Sequence, residues 1–154
     1  MYRYVFNPFT GNFDAVSDYA GFQTAKIANG IEEGFFVRAV PTRIAQKTDA
    51  RLVETSRCIG VSFGNPLLVI SGGVIEYARF STNSPLPEVG KPAFLARATD
   101  EPLLAAAGKV TMQAPATGVV AEVGIVMYVP PEYWDIRRAA VLLQVKGIVQ
   151  RAST

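Results

Sequence analysis

Lys109-Val110-Thr111-Met112-Gln113-Ala114 alternates polar and apolar residues without a break. Successive side chains of a strand point to opposite faces. The period of two therefore predicts a strand with Lys109, Thr111 and Gln113 in water and Val110, Met112 and Ala114 in a core. Just beyond it, Val119, Ala121, Val123, Ile125, Met127 and Val129 are apolar at every second position, with Glu122 on the other face. This predicts a strand or bent hairpin over 117–129, with Gly124 marking a bend or bulge.

Working outward, 138–150 reads as a terminal strand. Ala139, Val141, Leu143, Val145 and Val149 share one face, while Gln144, Lys146 and Gln150 turn the other face polar. Upstream, 35–40, 50–54, 57–63, 67–70, 73–80 and 92–96 are rich in Val, Ile, Phe and Tyr, which strands favour. Helical signals are weak. Leu103-Leu104-Ala105-Ala106-Ala107 predicts one short turn stopped by Gly108. Thirteen glycines and ten prolines cut nearly every other segment into short pieces. The expected fold is all-β, a β-sandwich or barrel-like domain of many short strands with an aromatic-rich N-terminal arm.

The arm is set by composition. Residues 1–22 hold Tyr2, Tyr4, Phe6, Phe9, Phe13, Tyr19 and Phe22, among turn-favouring Asn7-Pro8 and Thr10-Gly11-Asn12. Rings at this density do not stay solvated, so the arm packs on its own domain or anchors on a partner. The chain is read as an arm at 1–22, a β domain at 23–151 and a short tail at 152–154.

The 154 residues are enough for a self-sufficient core. The net charge of +2 is too small to argue for nucleic acid or an anionic membrane as partner, and neither is expected. No apolar run approaches the roughly 18–20 residues of a membrane span, and the opening lacks the apolar stretch of a secretory signal. A lone cysteine, Cys58, lies in the apolar run Ile59-Gly60-Val61 and reads as a small buried hydrophobe. That usage fits synthesis in a reducing cytosol.

Catalytic chemistry finds little to stand on. The chain has no histidine, which removes His-based triads and the commonest metal ligand. Glu32-Glu33 and Asp100-Glu101 are adjacent pairs in turn-like sequence and read as solvated loop charge. Gly108-Lys109 departs from a phosphate-binding loop, with Val110 where a hydroxyl residue is needed. Gly72-Gly73 reads as a turn or strand start. Arg43, Lys47, Arg51 and Arg57 cluster without intervening aromatics, and Arg137-Arg138 reads as a solvated pair at a strand end. The expectation is a non-enzymatic protein with no cofactor and no metal.

The opening Tyr4-Val5-Phe6-Asn7-Pro8-Phe9-Thr10-Gly11-Asn12-Phe13-Asp14 resembles that of small virion proteins of tailed bacteriophages. Across most of the chain, a second pattern follows in order. Thr24 to Ala28 comes first, then Gly30-Ile31-Glu32-Glu33-Gly34-Phe35-Phe36-Val37, then Ala50 to Arg57 leading into Ile59-Gly60-Val61, and Gly72-Gly73-Val74-Ile75. Val89-Gly90-Lys91-Pro92-Ala93-Phe94-Leu95 and Val123-Gly124-Ile125-Val126 close it. This order is similar to the small β domain of phage head-decoration proteins and of parts of tail fibres. Phe35 and Phe36 depart from that pattern, which has a polar residue and then Val after Gly34. Glu33 stands where Asp is commoner.

The resemblance implies a virion structural protein made in the host bacterial cytoplasm, a homotrimer in contact with the major capsid protein as a decoration or cement protein. A tail component that anchors fibres or forms a baseplate hub is the alternative. It implies no catalytic residues. Tyr2, Tyr4, Phe6, Asn7, Pro8, Phe9 and Phe13 are the candidate anchor. A carbohydrate-binding β-sandwich, with Trp134, Tyr133 and Tyr128 as its platform, is the more distant reading.

Overall fold

The computed structural model describes the backbone of residues 3–7, 12–16, 21–22, 26–27, 31–40, 44–63 and 68–151, and side chains over 31–40, 45–63 and 69–151. Fourteen strands occur among the described residues. They are β1 (Arg3–Asn7), β2 (Asn12–Val16), β3 (Gly21–Phe22), β4 (Lys26–Ile27), β5 (Phe36–Ala39), β6 (Ile44–Lys47) and β7 (Cys58–Phe63). They continue with β8 (Leu68–Ile70), β9 (Gly73–Arg79), β10 (Pro92–Leu95), β11 (Val110–Thr111), β12 (Gly118–Tyr128), β13 (Arg138–Leu143) and β14 (Ile148–Arg151).

β1 and β2 form an antiparallel hairpin. One six-stranded sheet runs β11-β10-β12-β13-β9, with β14 beside the first half of β12, and the other runs β3-β8-β7-β5-β6-β4. Every strand pair but β4–β6 is antiparallel. The protein is all-β. Phe36, Val61 and Ile70 of the second sheet meet Ile75, Leu95 and Val123 of the first in one buried cluster. Each such side chain is worth about 1.5–3 kcal/mol on burial.

β5 explains the departure at Phe35 and Phe36. Phe36 enters the main core, while Phe35 and Val37 join Ile31, Ala45 and Val69 in a second cluster. At the start of the strand both faces are apolar because both are buried, before Arg38 and Ala39 turn towards solvent.

β12 is one strand, not a hairpin, and it bulges where Gly124 predicts. Phe94 pairs with Glu122 and Ala93 with Gly124, so Val123 has no partner in β10. The bulge shifts which residues face inward. Val119, Ala121 and Val123 are buried, but beyond the bulge Val126 takes over; Ile125 is only half-buried and Met127 is exposed. A Cβ on Gly124 would collide with the Val141 side chain and the Leu142 carbonyl.

Other expectations need correction. The strand at 109–114 shrinks to Val110 and Thr111, both buried. Beyond it, the Met112 N–H donates to Ser84 Oγ at 3.0 Å and the Gln113 N–H to Thr111 Oγ1 at 3.3 Å. Side-chain oxygens thus take donors that a longer strand would give to a neighbour. The terminal strand is broken at 144–147 into β13 and β14, although both lie against β12.

Residues 50–54 form no strand. They turn into a 3-10 helix at Glu54–Ser56, because the Thr55 and Ser56 hydroxyls donate to the Asp49 and Leu52 carbonyls. The helical turn expected at 103–107 is instead a 3-10 helix at Pro102–Leu104 followed by turns. β6 and the β1–β2 hairpin were not legible as strands. The short β3 and β4 also fall outside the expected segments, whereas β5, β7, β8, β9 and β10 lie within them.

Candidate functional site

Of the expected anchor residues, Tyr2, Pro8 and Phe9 lie outside the described residues. Tyr4, Phe6 and Asn7 are in β1 and Phe13 is in β2; the register sets Phe6 opposite Phe13, Asn7 opposite Asn12 and Tyr4 opposite Ala15. The boundary drawn after residue 22 falls at a sheet strand, since Gly21 and Phe22 pair with Ile70 and Val69 of β8.

The segment between β10 and β11 carries a second candidate surface. Asp100 and Glu101 are not solvated loop charges, as the sequence reading expects. Asp100 accepts from the Arg97 guanidinium at 2.9 Å. Glu101 is 8% exposed. It accepts from Lys109 Nζ at 3.0 and 3.1 Å and from the Thr82 N–H at 3.1 Å. These contacts brace a knuckle on which Leu103 and Leu104 both take left-handed backbone, with φ of 58° and 59°. That conformation costs a non-glycine residue roughly 1–2 kcal/mol. Leu103 is 99% exposed and Leu104 is also exposed, so the strain serves no packing within the described residues.

A shallow groove of about 350 Å³ opens where the chain leaves β13. Its wall is the connection at 144–147, tied to β12 by the Gln144 N–H to the Val123 carbonyl and the Lys146 N–H to the Glu122 carbonyl. Val53, Cys58, Ala121, Val123 and Ile148 give it an apolar lining, and Arg57 and Lys146 supply charge. Burial pushes the Cys58 thiol up to about 12. It is therefore a protonated apolar group at neutral pH, not a nucleophile. Lys146 pairs with Glu122 at 3.0 Å. Among the described residues no group of three or more Cys, Asp or Glu side chains is placed to hold a metal ion.

The basic residues regroup in space. Arg43 lies outside the described residues. Arg51 pairs with Asp49 at 2.7 Å and Arg57 stands at the groove. Lys47 instead joins Arg79 at the Phe35 ring. Its ammonium lies 3.9 Å from the Phe35 ring centroid and the Arg79 guanidinium 4.3 Å from it. Arg79 and Arg138 are direct cross-strand partners. Arg138 is not a solvated strand-end charge, since it donates to the Tyr77 carbonyl at 2.9 Å and is half-buried. Gly34 sits among them with φ of 87°, where a Cβ would meet the Tyr77 carbonyl and Arg138 Nη1. Only the β9–β13 pairing brings positions 79 and 138 together, so no run of sequence announces this cluster.

Of the three aromatics of the more distant reading, Tyr128 is exposed, while Trp134 and Tyr133 have partners within the domain. The Trp134 ring carries the Arg137 guanidinium 4.8 Å from its centroid and meets Phe80 edge-on, while Tyr133 packs against Tyr77. No family model, no curated protein and no solved structure matches the chain.

Proposed function

We propose that this chain is a non-enzymatic structural protein of a tailed-bacteriophage virion, a head decoration or cement protein that bridges capsomers as a homotrimer. The observation that carries the reading is the braced knuckle. Two leucines are held in a costly conformation and presented to solvent by ion-paired neighbours. Exposed apolar side chains on a rigid mount suit a contact that is completed by another molecule. Repeated by symmetry, such small contacts add up without any deep pocket. The resemblance of the opening residues supplies the setting.

The test is cryo-electron microscopy of the particle that contains the chain, together with sedimentation of the isolated protein. Threefold density on the capsid and a trimer in solution are expected. A monomer at micromolar concentration, absent from the particle, overturns the reading. Density at the tail moves the protein to the alternative, a fibre-anchoring or baseplate component. The double variant Leu103→Ser, Leu104→Ser is expected to keep its thermal stability and to lose attachment to the particle.

A further inference from the structure

We propose that the open edge of residues 144–151, with the groove beside it, takes an extended segment of a partner protein that carries aliphatic residues and a carboxylate on one face. This inference stands apart from the assembly reading, which rests on the knuckle.

The first observation is a ladder that stops short. β9 pairs with β13 only as far as Gly73 opposite Leu143. Beyond that point the chain stays on β12. The Gln144 and Lys146 N–H groups donate to the Val123 and Glu122 carbonyls, and β14 follows. The other side of this stretch is open, since β14 pairs with β12 alone among the described strands. The N–H groups of Val145 and Gly147 alternate with those two donors and have no hydrogen-bond partner, and both residues are exposed. Unpaired backbone groups along a sheet edge are a template for an added strand.

The groove opens on the same stretch. Val145, Lys146 and Gly147 line one side, and the buried Cys58, Ala121 and Val123 give it an apolar floor. Alternate side chains of a strand point to one face. Those that turn to the core side from a strand laid in the line of β9 meet this floor. The volume of about 350 Å³ is at the low end of ligand pockets, roughly 300–1,000 Å³, and suits side chains entering from an added strand.

Charge selects the occupant. Arg57 stands at the groove, exposed, with no hydrogen bond or ion pair. Lys146 pairs with Glu122, but its side chain is 56% exposed, and a pair of this kind contributes little. Arg151, also exposed, ends β14. Against these cations stand Glu122 and the exposed Glu54, which opens the 3-10 helix before Arg57 and forms no ion pair with it. A second copy would bring the same cations to the same edge, and like charges facing across strands repel. A segment with an Asp or Glu is matched instead, because a guanidinium offers a carboxylate two parallel donors.

The test is an amide-shift titration of the full chain with capped seven-residue peptides. They carry Val at the second and sixth positions, Thr at the odd positions, and Asp, Asn or Lys in the centre. The Asp peptide is expected to shift the Val145 and Gly147 amides saturably, with half-saturation below about 1 mM. The Asn peptide should bind about tenfold more weakly, the loss of one charge-assisted hydrogen bond, and the Lys peptide more weakly still. Arg57→Met should erase the difference between Asp and Asn while Tm stays within about 2 °C, since the exposed arginine holds nothing in the fold. An Asp peptide N-methylated at every backbone nitrogen cannot donate to the edge carbonyls and should not bind.

Unshifted Val145 and Gly147 amides, equal binding of the three peptides, or retained binding of the N-methylated form overturns the inference. Shifts of the same amides that grow with protein concentration in the absence of peptide overturn it too, and make a second copy the occupant.

Discussion

β11 and β12 follow one another in the chain and lie in the same sheet, yet they are held in place by different means. β12 runs for eleven residues and is paired by β10, β13 and β14, so its position rests on backbone ladders and on Val119, Ala121, Val123 and Val126 in the core. β11 has two residues. Its ladder to β10 is two residues long and only Val110 of it enters the core, so it also relies on a few single contacts: Lys109 to Glu101, the Met112 N–H to Ser84 Oγ, and the Ser81 N–H to the Val110 carbonyl. A laddered strand spreads its stability over many groups and tolerates change on its open face. A clamped one concentrates it in single side chains and frees the loop before it to carry a strained, exposed pair of leucines.

This contrast has measurable consequences. The largest is expected at Val123, which is 1% exposed. Val123→Asp should cost about 3–5 kcal/mol in a denaturant titration, enough to unfold a marginal domain, because a buried charge has no partner there. A folded Val123→Asp protein of ordinary stability would show that the core does not lie where β12 puts it. Ile125→Asp, beyond the bulge and half-buried, should cost clearly less.

Next comes the clamp. Glu101→Ala leaves Lys109 without its carboxylate at a site where the lysine side chain is 18% exposed, and about 2–3 kcal/mol should be lost. Adding Lys109→Met should recover part of that, since the unpaired charge goes with it. If Glu101→Ala is neutral, β11 is not held by its clamp and the contrast with β12 fails.

A smaller effect belongs to Asp49, at the turn that packs on the segment before the clamp. Burial pushes its carboxyl up, but the Arg51 side chain and the N–H groups of Ala98 and Arg51 outweigh that and hold it below the usual carboxylate value. A carboxyl lowered by folding adds stability above its unfolded value of about 4 and loses it as pH falls through the folded value. Acid unfolding curves should therefore fall less steeply in that window for Asp49→Asn than for the native chain. Identical slopes would remove Asp49 from the account.

The smallest change is expected at Met127, 45% exposed on the open face of the laddered strand. Met127→Ser should move stability by no more than about 0.5 kcal/mol.

Much of the β domain was legible from alternation and composition. β12 lies in a segment whose apolar rhythm names it, β5, β7, β8, β9 and β10 lie in segments rich in strand-favouring Val, Ile, Phe and Tyr, and Cys58 is the buried hydrophobe that its neighbours suggest. Failures cluster where polar side chains compete with the ladder. The Thr55 and Ser56 hydroxyls, bonded to the Asp49 and Leu52 carbonyls, lead the expected strand at 50–54 into a 3-10 helix at Glu54–Ser56, and Ser84 and Thr111 cut a clean alternation short. The candidate sites were less legible. The aromatic opening was visible as composition, but its role as an anchor rests on residues that lie partly outside the described ones. The knuckle read as a plain helical turn, because composition does not record backbone handedness.

By itself the amino-acid order determined the class of fold and the bulge at Gly124. These follow from nearest-neighbour sterics and from the spacing of apolar residues along one strand. Tertiary structure alone decided which face of β12 turns outward after the bulge, that Phe36 and Phe35 enter two separate buried clusters, that Glu101 finds Lys109, that Arg79 meets Arg138 across β9 and β13, and that Lys47 and Arg79 both approach the Phe35 ring. Those outcomes depend on pairing between segments far apart in the chain, and no local pattern specifies which strand becomes whose neighbour.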